Sequence, residues 1–303
     1  MIDDHNHNLR GIMFRCVSVI CFAIMAAAMK WASEAHVTAI EMLFVRSTIG
    51  LPIVVGWLLI GPGIGIIRTK RPKAHLIRSM IGMSGILMTF QGLILLPLAE
   101  VTTIGFSAPI FATILSALIL KEKVGGHRWT AVLFGFLGVA IVVRPGGGGE
   151  ALSQFGVIAA LLGAVGTAGV TITIRQLGGT EQPGTIVFWF FVSCAVVSGA
   201  AMPFYGHLRA PETYAVMCIA GFAGAAAQIL MTMSLKAAPV SVVAPFDYGQ
   251  IIWASLLGWL FWSTTPTLNT LAGAGLIVFA GLYTAWRESR KRRVTVAATP
   301  PLE

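Results

Sequence analysis

Arg46 sits eight residues into the apolar run Thr38–Ile60, TAIEMLFVRSTIGLPIVVGWLLI. At 1.5 Å of rise per residue it would lie ~12 Å from the helix end, too deep to snorkel freely through half of a ~30 Å hydrocarbon core. A guanidinium there must find carbonyls, a carboxylate on another helix, or a watery cavity. Glu41 is five residues away and on a different face, which argues against an intrahelical pair. Asp247, in VVAPFDYGQII, is a second charge inside an apolar run, beside Pro245 and before Gln250. Proline removes one helical N–H and loosens the hydrogen-bond ladder, leaving carbonyls available. A carboxylate beside opened backbone can hold a substrate amine or a proton, because keeping it charged in a low-dielectric setting is costly. The competing reading is that Asp247 only caps local structure. The amides of Gln91 and Gln228 also need partners in hydrocarbon, and they fall before paired hinges in the two halves of the chain.

Around these groups stand Ser84 and Met88 in one apolar run, Thr102, Phe106 and Pro109 in the next, and Tyr248 and Trp253 beyond Pro245. They are candidate substrate-binding positions with Gln91, Gln228, Asp247 and Gln250; Asp247 is also the candidate coupling group. Most of the glycines, alanines and threonines nearby serve close helix approach. Bond-making chemistry has no comparable set. GMSG (Gly82–Gly85) has the form of an intramembrane serine protease, but such a serine needs a histidine base within reach. His5, His7, His36, His75, His127 and His207 all fall in tails, loops or helix ends. There is no HExxH, and neither GPGIG nor GGGG carries the Gly-Lys-Ser/Thr of a phosphate loop. Cys16, Cys21, Cys194 and Cys218 lie singly in apolar runs and suggest neither a disulfide framework nor zinc. No catalytic group, metal or cofactor is expected, and the chain does not read as an enzyme.

These residues must be positioned by membrane helices. The 303-residue chain is 56% hydrophobic and 11% charged, whereas a soluble domain carries roughly 25% charge. Ten apolar runs are long enough to span a bilayer, approximately 11–32, 38–60, 75–96, 98–120, 128–144, 152–174, 183–205, 213–235, 238–262 and 266–286. A start that doubles as a cleaved signal peptide is disfavoured by the mixed charge of MIDDHNHNLRG and the length of the run that follows. With the N-terminus in the cytoplasm, 17 of the 21 Lys and Arg residues fall on the inner side, leaving Lys30, Arg144 and Arg209 outside and Arg46 within. The positive-inside rule then places both termini in the cytoplasm. The net charge of +9 is spread over short loops rather than gathered on one polar face, so nucleic acid is not an expected partner.

The chain also repeats. PLAEVTTIGFSAP (Pro97–Pro109) returns in outline as AAPVSVVAPFDY (Ala237–Tyr248), and EMLFVRS (Glu41–Ser47) as TIVFWFF (Thr185–Phe191), without its basic residue. The predicted units are a first repeat over 1–145, a flexible glycine-rich linker over 146–151, a second repeat over 152–287 and a basic tail over 288–303. Five helices per half make the second copy enter from the opposite side. Inverted repeats with a midplane site are a signature of secondary transporters.

Leu96–Gly147, with Pro109, Glu122, Trp129, Gly135 and Gly138, and Ala237–Glu288, with Pro245, Tyr248, Trp253, Gly258, Trp259 and Pro266, resemble the ten-helix EamA family of the drug/metabolite transporter superfamily. The resemblance covers nearly the whole chain. One departure is WSTTP, where Thr264 stands near the place of a glutamate found in many relatives. Glu122 survives only in the first half, either fixing the inner loop or contacting substrate. The resemblance implies an all-α polytopic protein of the inner membrane, made of two inverted five-helix repeats. Its activity would be secondary active transport, with export of small metabolites such as amino acids or their derivatives and with protons as a candidate coupling ion. Uptake of a nucleoside-like or vitamin-like metabolite is the alternative, and a channel a weaker one. For Arg46 two roles stay open: a pin for the first half, or the charge that reads an anionic substrate group.

Overall fold

A computed structural model describes residues 2–119, 121, 125–143, 152–177, 180–238 and 240–297. Glu122 and the linker 146–151 lie outside them. All regular structure among the described residues is helical. The first half contains α1 (Ile2–Glu34), α2 (Ala39–Ile60), α3 (Pro72–Leu95), the pair α4 (Leu98–Gly105) and α5 (Ala108–Ile119), and α6 (Gly126–Val143). The second contains α7 (Gln154–Leu177), α8 (Pro183–Tyr205), α9 (Pro211–Ala237), the pair α10 (Val240–Val243) and α11 (Gly249–Trp262), and α12 (Leu268–Ala297). Among the described residues, seven stretches are long and apolar enough to cross a membrane. Trp129–Val143 and Leu268–Thr284 are shorter apolar helices, and the composite Val240–Trp262 completes the ten expected spans.

Helix starts follow local chemistry. Thr38 caps α2, its hydroxyl accepting from Glu41 N at 3.3 Å while its own N–H donates to Glu41 Oε2 at 2.7 Å. This reciprocal box satisfies two donors that would otherwise be orphaned. Proline opens α3, α8 and α9 at Pro72, Pro183 and Pro211, where its missing N–H costs nothing.

Two spans expected as continuous are broken. The fourth interrupts between Gly105 and Ala108, because Pro109 cannot donate to Gly105 and its ring crowds that carbonyl. The chain tightens there: Ser107 N donates to Ile104 O and Ile110 N to Ser107 O, both at 3.0 Å. The ninth breaks at a 3-10 turn over Ala244–Tyr248, around Pro245.

The largest helix contacts have counterparts when the halves are exchanged. α1 packs on α9 as α7 packs on α3, and α5 meets α7 as α11 meets α1. The pairs α2–α8 and α6–α12 lie across the centre of this relation. Small residues set the closest crossings. A methyl at Gly85 on α3 would stand 2.9 Å from Gly166 Cα on α7. Such backbone approach is how helices gain contact in lipid, where no hydrophobic drive joins them. Gly85→Ala and Gly166→Ala should each lower the apparent melting temperature and the monodisperse yield in detergent. Gly56→Ala on α2, where an added carbon meets nothing within 4 Å, should leave both nearly unchanged by size-exclusion and thermal unfolding.

Candidate functional site

The broken spans face one another: α4 contacts α11, and the Phe106 ring lies 5.2 Å from the Tyr248 ring at 58°. Thr102, one turn before Phe106, returns its hydroxyl to Leu98 O at 2.8 Å. Asp247, next to Tyr248, turns to α1 and pairs with the Arg15 guanidinium, Nε to Oδ1. Gln250 is half-buried beyond the hinge, whereas Trp253 and Pro109 are exposed. Of the other predicted positions, Ser84 is exposed and gives its hydroxyl to Ile81 O at 3.0 Å on its own helix. Met88 and Gln91 on α3, and Gln228 on α9, are half-buried. Among the described residues no hydrogen bond joins these side chains to the Phe106–Tyr248 pair. The hinge residues therefore converge, and the α3 and α9 candidates do not join them.

Two arginines counted in the sequence with the inner-side charges have side chains packed within the bundle. Arg15 reaches Asp247 with its side chain 12% exposed. Arg78 is 3% exposed, on the face of α3 that packs against α8, where its guanidinium meets Phe190. The buried face of α3 runs through His75, Arg78, Ser79, Gly82 and Gly85, a polar stripe at helical spacing. Arg46, 2% exposed, lies on the matching buried stripe of α2 with Ser47, Gly50, Val54 and Leu58.

Both buried guanidiniums rest on α8. Arg46 stands 5.2 Å from the Phe191 ring centre, and Arg78 4.1 Å from that of Phe190. Arg46 Nε also donates to Met25 Sδ at 3.4 Å. Arg46 Nη1, Arg78 Nε and Arg78 Nη1 are buried with no hydrogen-bond partner. A desolvated cation–π contact is worth ~2 kcal/mol, against an effective burial penalty of several kcal/mol per ion. Stacking alone does not balance the cost of these two charges. Phe190 and Phe191 went unremarked in the sequence as partners, although TIVFWFF is the counterpart of the Arg46 segment.

Polar ties close both ends of the helix bundle. At the α1–α2 turn, Glu41 accepts from Arg209 Nε and Nη2 at 3.1 and 2.9 Å and from His207 N at 3.0 Å. Arg209 further donates to Ala35 O and His36 O. Lys30 holds Leu93 O and Leu96 O near the same end. At the opposite end Thr69 donates to Glu181 at 2.7 Å, and His75 Nε2 lies 3.6 Å from the same carboxylate. Thr185 and Trp189 bind Ile66 O and Ile67 O. Beside this second tie a cavity of about 530 Å³ opens between α3 and α7, with Lys70, Arg71 and Lys73 on its rim; it lies away from the Phe106–Tyr248 hinge.

An all-helical chain of about ten apolar spans is the fold class that the EamA resemblance implied. The EamA-like transporter family matches residues 9–144 and 154–286, one copy in each half. The chain belongs to the EamA-like transporter family. It is 30% identical to the pseudopaline exporter CntI of Pseudomonas aeruginosa over 275 residues, covering 89% of this chain and 94% of that protein. A riboflavin transporter of Rhizobium johnstonii is 29% identical over 76% of each chain. An S-adenosylmethionine uptake transporter of Rickettsia bellii is 25% identical over 82% of each. A solved crystal structure superposes with a TM-score of 0.64 at 16% identity, covering 92% of this chain and 98% of its own; it supports the fold alone. This EamA protein is a multi-pass membrane transporter of small metabolites rather than an enzyme.

The tie at Glu181 carries a pH signature. Burial works against its charge, but the Thr69 hydroxyl and the His75 imidazole outweigh that and hold its carboxyl below the usual glutamate range. A depressed folded pKa contributes stability above the unfolded value of about 4.3, lost as pH falls through the folded one. Glu181→Gln should lower the apparent melting temperature at pH 7, by an amount on the order of 1 kcal/mol. The difference from the parent should close below about pH 4.3 in thermal unfolding across pH.

Proposed function

We propose that this chain is a secondary active transporter of the inner membrane that exports small metabolites, such as amino acids or their derivatives, by alternating access coupled to protons. The observation that carries the reading is the meeting of two discontinuous spans at Phe106 and Tyr248. Transporter sites form at such paired breaks, and rocking of one repeat against the other exposes them in turn. The rocking units are 1–145 and 152–287. The Glu41–Arg209 and Glu181–His75–Thr69 ties act as opposing gates, each opening while the other holds. Thr102, Phe106, Pro109, Tyr248, Gln250 and Trp253 form the hinge-side wall of the substrate path. Ser84, Met88, Gln91 and Gln228 join it as α3 and α9 move.

Asp247 is the coupling group. Paired with Arg15 it needs no proton; when rocking withdraws α1, a proton takes the place of the guanidinium. Export is supported by the 30% identical exporter, and an inner-membrane setting with both termini cytoplasmic by the Lys and Arg bias. The riboflavin and S-adenosylmethionine transporters support a second reading, uptake of a vitamin-like or nucleoside-like metabolite.

Proteoliposomes decide between these readings. Saturable counterflow of a metabolite, faster with an imposed proton gradient, is the expected result, and the sidedness of net flux separates export from uptake. Non-saturating single-channel currents would instead identify a channel. Asp247→Asn should keep binding and lose the pH dependence of flux; an unchanged pH profile would remove Asp247 from coupling.

A further inference from the structure

The hinge and the gates leave Arg46 and Arg78 without a task. They lie on different helices, α2 and α3, and both turn towards α8, where the adjacent rings of Phe191 and Phe190 receive them. The two guanidiniums are within electrostatic range of each other and of Cys194, one turn further along α8. Like charges so placed repel, and neither is neutralised: no ion pair among the described residues includes Arg46 or Arg78. Their unpartnered nitrogens are joined by two further buried groups without a hydrogen-bond partner, the hydroxyls of Ser47 and Ser79, each next in sequence to its arginine. Two guanidiniums on two helices thus keep buried, unpartnered nitrogens beside one pair of rings, and a buried serine follows each of them on its helix.

Room has been kept for them. A methyl at Gly224 on α9 would stand 3.1 Å from Arg46 Nε, and one at Gly82 3.1 Å from Arg78 Nη1. The rest of the surround is apolar, with Met25 beside Arg46 and Val170 near Gly82. A buried donor set of this cost is retained when a ligand satisfies it. Arginine is suited to this task, because its planar fork binds a carboxylate through two parallel bonds and keeps its charge when desolvated. The basic rim at Lys70, Arg71 and Lys73, at the start of the helix that carries Arg78, would raise the local concentration of anions on that side.

We propose that Arg46 and Arg78, with Ser47 and Ser79, form a substrate site for an organic anion that presents carboxylate to the two guanidiniums and its carbon skeleton to Phe190 and Phe191. This rests on the transport reading above and names its substrate class: carboxylic acids. Arg46 thereby becomes a reader of substrate charge rather than a pin, and Arg78 its partner.

The test uses the full chain in lipid nanodiscs and a metabolite library in which each carboxylic acid is matched by its amide or methyl ester, with inorganic phosphate and sulfate included. Compounds that bind the folded state raise the melting temperature. The stabilising compounds should be carboxylates whose esters are inert, and Arg46→Gln and Arg78→Gln should each weaken them more than tenfold. Ser47→Ala and Ser79→Ala should weaken them several-fold, which reports on the site even where an arginine variant is poorly produced. Without ligand, both arginine variants should unfold at the parent temperature or above, since each removes an uncompensated buried charge. Stabilisation by neutral or cationic compounds alone, or by phosphate alone, would overturn the assignment. So would unchanged carboxylate affinity in both arginine variants, or loss of folded yield in both with the serine variants unaffected. A library that contains binders but supports no counterflow in proteoliposomes would sink the transport reading and leave the carboxylate site standing as a binding site.

Discussion

In a bilayer a charge or an unpaired backbone group cannot turn to water, and that cost organises this molecule. The two interrupted spans, broken at Pro109 and Pro245, meet each other, with Phe106 against Tyr248. The same cost governs the charged side chains. Asp247 is met by Arg15, and Glu41 by Arg209 and a box of backbone donors. Glu100, buried on α4, accepts from Thr270 on α12 at 3.1 Å. Arg46 and Arg78 are the departures, held by aromatic faces without a counter-charge, and a departure from so costly a rule marks a place where something binds.

Tight crossings and polar ties alike join the two halves. The α3–α7 crossing at Gly85 and Gly166 and the α6–α12 crossing through Gly138 and Gly273 each pair a helix of one half with a helix of the other at close backbone approach. At the ends, ion pairs and hydrogen bonds such as Glu41–Arg209 and Thr69–Glu181 join the halves as well. Interhelical polar contacts of this kind are worth only ~0.6–2 kcal/mol each in membranes, so they can be exchanged one set for another. Exchange-related packing makes the two sets near equals in kind, which is what a carrier with two end states of similar energy requires.

The apolar spans and the prolines within two of them were legible in the sequence because they depend on local facts, whereas the full breaks at those prolines were not. Apolar length, proline chemistry and the recurrence of PLAEVTTIGFSAP as AAPVSVVAPFDY need no partner to be read. The depth of Arg46 was legible for the same reason. The site was legible only in part. Phe106 and Tyr248 stood out beside their prolines, and they do meet. Arg78 did not stand out, since it looked like one more basic residue in a cluster of inner-side charges. Arg15 was counted in the same way, near a helix end, and its pairing with Asp247 depends on which span it faces.

By itself, then, the sequence determined an all-helical membrane transporter with recurring segments in its two halves, because length, hydropathy and backbone chemistry are properties of single segments. What the tertiary structure decided was which charges are spent and which are free. Asp247 and Arg15 are 232 residues apart, and only folding could reveal that each is the other's partner. Only folding could lay Arg46 and Arg78 on neighbouring rings of α8 with their remaining donors unpaired. Whether a charge is satisfied is a relation between segments, and no single segment carries it.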